Sequence, residues 1–242
     1  MTPPKASAAT PNAERLTDYP QPSVTADCVM FAVESSELQV LLVRRGVEPY
    51  KGEWAIPGGF VGVEMSLEDT ARSKLREKTG IADAYLEQLY TFGDLGRDPR
   101  GRVLTVAYFS LIRKPEAAPV STSDAASEAA WFPAAATPAL AFDHARILDM
   151  ARQRLRNKIR YEPIGFELLP EKFVLTDLQR LYEGILEREL DKRNFRKKIL
   201  GMGILKALDE KQQNVPHRAA RFYSFDQEAY ERLKERGFLF EL

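Results

Sequence analysis

The chain is 242 residues long, 44% hydrophobic and formally neutral, with 35 Lys+Arg balancing 35 Asp+Glu. That is enough apolar content for a real core and enough length for two ordinary domains; it excludes wholesale disorder, and the single cysteine, Cys28, excludes a disulfide scaffold. Charge is unevenly divided: residues 1–145 carry 14 Lys+Arg against 19 Asp+Glu, a net of −5, and residues 146–242 carry 21 against 16, a net of +5, so the C-terminal part suits a polyanionic partner.

Residues 1–20, rich in Ala, Pro and Thr and without periodicity, are expected to form a disordered tail. Val24–Val33 turns apolar with Val29, Phe31 and Val33 alternating, and Leu38–Val43 follows the polar Glu34-Ser35-Ser36-Glu37, which predicts a hairpin with a four-residue connection. Cys28, inside the first strand, reads as a small core hydrophobe. Trp54-Ala55-Ile56-Pro57 leads into a Gly58-Gly59 loop. Ser66 then opens a helix with Asp69 three residues on, close to a capping box, and the helix runs about three turns to Gly80, which supplies a left-handed C-terminal position. Tyr85–Phe92 and Val103–Ile112 are strand candidates. The loop between them holds Arg97, Arg100 and Arg102 beside Asp98-Pro99, a pattern suited to clamping phosphate or ribose. Residues 115–130 read as a surface segment, Trp131-Phe132-Pro133 as a short strand, and Asp143 as the cap of a helix to about Asn157 with Ile147, Leu148, Ala151 and Leu155 inward. Strands with two flanking helices make residues 21–157 an α/β sandwich domain.

Two prolines and a glycine place a linker at 158–170. Beyond it the pattern is helical. Thr176-x-x-Gln179 reads as a capping box for an amphipathic helix ending near Leu190, and Asp191 caps a second helix, Lys192–Leu200, with Phe195, Ile199 and Leu200 as its core stripe. Lys192, Arg193, Asn194, Arg196, Lys197 and Lys198 fill the rest of that helix. Ile204–Leu208 and Ala219–Phe225 form a hairpin whose polar tip holds Lys211, His217 and Arg218, and Asp226 caps a last helix. Helix, short turn, basic helix and long basic hairpin describe a winged helix-turn-helix over 171–242. Its second helix fits the major groove, its cations neutralise phosphates, and Arg218 or Arg221 of the wing reaches the minor groove.

The run from Gly59 to Ile81 resembles a Nudix box: Gly, five residues, Glu, seven residues, then Arg-Glu-apolar-x-Glu-Glu-x-Gly-apolar. Gly59, Leu75, Glu77, Gly80 and Ile81 match; Met65 replaces the first Glu, Ser73 the Arg, Lys74 the second Glu and Lys78 the last. In active members the glutamates hold divalent cations that polarise a pyrophosphate. Two lysines four apart share one helix face, so here the cation site is electrostatically reversed. A damaged box followed by a winged helix, with Gly-Arg-Asp-Pro-Arg-Gly-Arg-Val at 96–103, Ala-Phe-Asp-His at 141–144 and Asp-Lys-Arg-Asn-Phe-Arg-Lys-Lys at 191–198, resembles the Nudix-related transcriptional regulators of NAD metabolism, the NrtR family.

That resemblance implies a Nudix α/β/α sandwich with a mixed sheet and a C-terminal winged helix. It implies a dimeric cytoplasmic repressor of NAD biosynthesis or salvage genes on a palindromic operator, with ADP-ribose or a related nucleotide as effector, and no required cofactor, metal or membrane. The ligand residues it suggests are Arg44, Arg45, Gly58, Gly59, Lys74, Glu77, Lys78, Arg97, Arg100, Arg102 and His144; the DNA residues are Lys192, Arg193, Asn194, Arg196, Lys197, Lys198, Lys211, His217, Arg218 and Arg221. The alternative is an active ADP-ribose pyrophosphatase holding Mg²⁺ through Glu64, Glu68 and Glu77 in a shifted register. A third reading is a metabolite-binding scaffold with no nucleic-acid role.

Overall fold

In the computed structural model, residues 19–81, 84–114, 126–213 and 219–237 are described. The N-terminal half is built on one long strand, β1 (Ser23–Glu34). Its N-terminal part pairs antiparallel with β4 (Gly58–Phe60), most of its length pairs parallel with β6 (Val103–Leu111), and its end pairs antiparallel with β2 (Glu37–Arg45). β2 also takes β3 (Trp54–Ala55) and β7 (Ala126–Pro133), and β5 (Tyr85–Phe92) closes the far edge against β6. The result is a seven-stranded mixed sheet.

The period-two alternation of β1 sends its side chains to two cores. Ala26, Cys28 and Met30 pack with Ala71 and Leu75 of α1 (Leu67–Thr79) on one face. Val29 and Phe31 pack with Ile147, Leu148, Ala151 and Leu155 of α2 (His144–Lys158) on the other. Cys28 is fully buried, and burial pushes its thiol pKa up, as suits a core residue.

The C-terminal half runs β8 (Phe173–Val174), α3 (Leu175–Leu186), α4 (Lys192–Gly201), β9 (Leu205–Lys211), β10 (Arg221–Phe225) and α5 (Gln227–Glu235). Its three strands pair in the order β8-β10-β9. Leu178, Leu181, Tyr182 and Ile185 of α3 join the same core as α2, and Gly184 lies against the β1–β2 turn, where an added Cβ would sit 2.7 Å from Val33 Cγ1 and 3.1 Å from the Ser36 carbonyl carbon. Arg152 and Arg156 of α2 both reach Glu187, the left-handed residue that ends α3. Arg113 donates to the carbonyls of Leu168 and Leu169.

Several expectations are corrected. The hairpin turn is two residues, Ser35 and Ser36, at φ 50° and 66°; both take the left-handed conformation that primed hairpin turns require, without the Gly or Asn that usually advertises it. Gly58 and Gly59 lie in β4 and pair with Asp27 and Ala26, so they form a strand and not a loop. Residues 126–130 belong to β7, which runs the length of β2; 115–125 lie outside the described residues. α3 starts at Leu175, and Asp177, not Gln179, returns to the N-cap by accepting from Val174 N at 3.3 Å. α3 stops at Leu186, and Leu200 is 44% exposed, so the core stripe of α4 is Phe195 and Ile199. Segment 158–170 holds a 3-10 helix, Phe166–Leu168, and Ile159 and Phe166 are buried in the shared core. The tail expected at 1–20 falls outside the described residues except for Tyr19 and Pro20.

Candidate functional site

A cleft of about 230 Å³ opens where β1, β4, the 93–102 loop and the start of α2 meet. Its floor is Asp27, the one acid in the buried stretch of β1 from Ala26 to Ala32. Asp27 accepts from Thr105 Oγ1 at 2.7 Å, and its Oδ1 fills the space a Cβ at Gly58 would need, 1.8 Å away. Gly58 is therefore required by the carboxylate beside it.

His144 closes the inner wall. It is buried, and its Nδ1 accepts from Ile56 N at 2.9 Å, so the ring proton of the neutral form sits on Nε2, 3.9 Å from Asp27 Oδ2. Burial lowers its pKa below the ordinary value, Asp27 and Asp143 oppose that, and Arg97 and Arg45 add to it.

The arginines of the wall are each committed to a partner. Arg97, 5% exposed, grips Asp143 through two hydrogen bonds of 3.0 and 2.6 Å. Asp143 is the N-cap residue of α2 but makes no side-chain cap bond, because its carboxylate is turned to Arg97. Arg100 holds Asp98 in the same forked way, at 3.0 and 2.7 Å, and its hydrogen bond keeps the Asp98 carboxyl below the usual carboxylate range. The Arg100 guanidinium also lies over the rings of Phe60 and Phe142. Arg45 donates to the Pro49 carbonyl at 2.7 Å and stacks over Phe142; burial and the neighbouring Arg100 lower its pKa. Phe142, at φ 56°, takes a backbone conformation rare for a bulky residue, and Tyr50 packs edge-on against it. Forked guanidinium groups, an exposed Phe60 and half-buried Phe142 give the cleft the chemistry of phosphate and a flat ring.

Of the suggested ligand residues, the structure brings Arg45, Gly58, Gly59, Arg97, Arg100 and His144 together. It does not bring the others. Lys74 and Lys78 each lie 2.7 Å from Glu77, one on each carboxylate oxygen, and Lys78 is 4% exposed. Burial of Glu77 disfavours its charge, but hydrogen bonds from the two lysines outweigh this and hold its pKa below the ordinary value. This triad lies behind Gly59, where an added Cβ would meet Lys74 Cε at 2.9 Å. Arg102 donates to the Gly93 carbonyl at 2.5 Å, and Arg44 to the Gly52 carbonyl at 2.9 Å with Glu128 beyond. Glu68 pairs with Arg72, and among the described residues no three His, Cys, Asp or Glu side chains converge as a metal site, so the shifted set of Glu64, Glu68 and Glu77 is not assembled. Asp27, Phe60 and Phe142 were missed by sequence reasoning. The only signal for Asp27 was one acid in the run Val24–Val33, and for Phe142 its place in Ala-Phe-Asp-His.

The second site is α4. Asp191 Oδ1 accepts from Asn194 N at 2.8 Å and fixes its start. Phe195 and Ile199 face inward, which at 100° per residue turns Arg193, Lys197 and Leu200 to the opposite side with Asn194 beside them; all four are exposed. Lys192 and half-buried Arg196 lie on the flank toward α3 and β10, and Arg196 donates to Thr176 Oγ1 at 3.3 Å. Lys198 lies on the other flank. Lys211 is in β9 and pairs with Arg221 of β10, not at a loop tip; His217 and Arg218 lie outside the described residues. Sequence reasoning missed Arg180 of α3, which stands beside Arg196 in one cleft.

Against this geometry, residues 22–151 match the family model of the NUDIX domain and residues 165–225 that of the NrtR DNA-binding winged helix domain. The chain is 40% identical over 216 residues to the ADPR responsive transcriptional repressor NtrR of Acinetobacter baylyi, an alignment covering 88% of this chain and 86% of that one. It is similar to the crystal structure of Shewanella oneidensis NrtR complexed with a 27mer DNA, with TM-score 0.73 and 34% identity, covering 86% and 95% of the two chains. The NUDIX domain of Shewanella oneidensis NrtR complexed with ADP ribose matches at TM-score 0.51 and 37% identity, over 59% of this chain and 94% of that domain.

Proposed function

This chain belongs to the NrtR family, in which a NUDIX domain precedes an NrtR winged helix, and from that membership we propose that it is a transcriptional repressor that releases DNA in response to ADP-ribose. The observation that carries the reading is the presence in one chain of a phosphate-suited cleft and an outward basic helix, joined through α2 and α3. In the cleft, the pyrophosphate meets Arg97 and Arg100, Phe60 and Phe142 border the adenine or ribose, and His144 and Asp27 offer hydrogen bonds at the inner end. On the other side, Arg193, Asn194 and Lys197 of α4 meet base edges in the major groove, and a homodimer sets two such helices on a palindromic operator of NAD biosynthesis or salvage genes.

The same reading makes the NUDIX domain a sensor and not a hydrolase. The one box glutamate left on the cation-binding turn, Glu77, is neutralised by Lys74 and Lys78, so a divalent cation would have to displace two ammonium groups. Ligand-driven release requires that ADP-ribose bind the free and DNA-bound forms with different affinity. A mobility shift on promoters of NAD genes, with and without ADP-ribose, tests this: the expected result is a specific complex that ADP-ribose weakens, without AMP release in a parallel Mg²⁺ assay. A complex indifferent to ADP-ribose overturns the effector, and AMP release that Glu77→Gln abolishes restores the enzyme reading.

A further inference from the structure

Two polar groups at the inner end of the cleft are left half-used. His144 Nδ1 is taken by Ile56 N, so Nε2–H remains as a donor, and among the described residues nothing accepts from it. Asp27 Oδ2 stands 3.9 Å away, too far for a hydrogen bond. Asp27 in turn has two oxygens and one side-chain donor: Thr105 Oγ1 meets Oδ2 at 2.7 Å, and among the described residues no donor reaches Oδ1. His144 is 5% exposed and Asp27 6%, so bulk water does little to satisfy either. Buried Thr105 and Ile56 stand behind the pair, so the cleft ends here and a ligand meets it with its last atoms. A gap between a donor and an acceptor suits an oxygen that can both accept and donate, about 2.8 Å from each. A sugar hydroxyl has that character. A phosphate oxygen has no proton to give, and its charge is repelled by the carboxylate.

We propose that Asp27 and His144 read the anomeric hydroxyl of the effector's terminal ribose, and that this pair makes the protein select free ADP-ribose over NAD. The inference rests on the effector reading above. With the pyrophosphate on Arg97 and Arg100 and the adenine beside Phe60 and Phe142, the terminal ribose points inward. Its anomeric hydroxyl lies on the ring edge away from the pyrophosphate, where it accepts from Nε2 and donates to the Asp27 carboxylate. In NAD the same carbon carries nicotinamide, which offers neither bond, and a buried pair built for a hydroxyl discriminates strongly against a ligand that lacks it. Attraction between the positive nicotinamide ring and Asp27 does not offset this, because the ring must displace side chains held from behind by Thr105 and Ile56 and still leaves Nε2–H unpaired. The cleft then reports that water has cut the glycosidic bond of the dinucleotide, not how much intact dinucleotide is present.

Titration calorimetry on the full chain tests it from the ligand side and from the protein side. The ligands are ADP-ribose, its analogue with hydrogen in place of the anomeric hydroxyl, NAD, and ADP, which has no terminal ribose. On the wild type the analogue and NAD are each expected to bind about 10- to 100-fold more weakly than ADP-ribose. Asp27→Asn keeps the side chain's size and an oxygen for Thr105 but turns an N–H donor toward the hydroxyl. It is expected to lose about the same factor for ADP-ribose and nothing for ADP, so that ADP-ribose and its analogue come to bind alike. The ADP measurement shows that the variant's cleft is intact, and the ligand series on the wild type decides the matter should the variant fold poorly. A wild type that binds ADP-ribose and the analogue equally, or an Asp27→Asn that weakens ADP and ADP-ribose by the same factor, overturns the hydroxyl reader while leaving the sensor in place. A wild type that binds neither ADP-ribose nor ADP overturns the effector reading, and the hydroxyl reader with it.

Discussion

Arg97 and Asp143 hold each other through two hydrogen bonds across 46 residues of sequence, and the acid of the pair is the residue on which α2 begins. The cleft's most buried cation is thus tied to the end of the helix whose other end, through Arg152 and Arg156, holds the close of α3 at Glu187. Removing the acid strands a buried guanidinium. Asp143→Asn is expected to lower the melting temperature of the free protein, by a free energy of about 3–5 kcal/mol for a broken buried pair. ADP-ribose should then restore more stability than it adds to the wild type, because its pyrophosphate replaces the missing partner. Thermal unfolding with and without ligand checks this, and equal ligand-induced increments would argue against Arg97 as a phosphate ligand.

Arg100 is the accessible arm of the same wall. Arg100→Gln removes the proposed charge-assisted hydrogen bond to the pyrophosphate, worth about 1.5–3 kcal/mol, or roughly 10- to 150-fold in Kd for ADP-ribose. Binding of the ligand-free protein to DNA should be unchanged, since Arg100 lies on the NUDIX half. Titration calorimetry and a mobility shift read the two effects separately; an unaltered Kd removes Arg100 from the site.

The helix from Ser66 to Gly80 was legible because every signal for it is local: a cap, an acid at the third position and a glycine stop, each within a turn of what it governs. The same holds for Asp191 on α4 and Asp226 on α5. The Ser35-Ser36 turn was not, since its left-handed residues are imposed by β1–β2 pairing and not by their own preference. At the cleft, the arginine cluster stood out, but its commitments did not. Asp98 lies two residues from Arg100, whereas Asp143 is 46 from Arg97, and Asp27 meets Thr105 across 78. Leu200 is apolar, but five residues on from Phe195 the helical period already turns it away from the Phe195–Ile199 face, so its composition and not its spacing suggested the core stripe.

His144 is held neutral. Its folded pKa lies below the ordinary 6.5, so the unfolded chain takes up a proton that the native one refuses; the associated stability is present above about pH 6.5 and is lost as pH falls from there through the lower folded value. His144→Gln, which keeps an acceptor for Ile56 N, should flatten the pH dependence of the melting temperature in that window. A variant as pH-sensitive as the wild type would place the titration elsewhere.

Gly184 sets how closely the two halves approach. In Gly184→Ala the new methyl meets Val33 Cγ1 and the Ser36 backbone, and backbone gives way less easily than a side-chain end. The expected cost is about 1–3 kcal/mol of stability, read by denaturant unfolding. ADP-ribose affinity should be retained, since the cleft lies away from this junction. A neutral substitution would mean that the joint between the halves is looser than the close approach implies.

The contacts between Glu77 and its two lysines also set what it would cost to rebuild a cation site on this helix. Placing the Nudix-box acid at position 78 alone would put a carboxylate at a 4% exposed site beside Glu77 and take away one of the cations that keep Glu77 ionised. Placing it at 74 alone would leave two facing acids with one remaining lysine. Either single substitution is therefore expected to lower stability, and Met65 and Ser73 would still depart from the Nudix-box pattern. The triad therefore resists piecemeal conversion: a cation-binding turn could be built on this helix only by changing both lysines together.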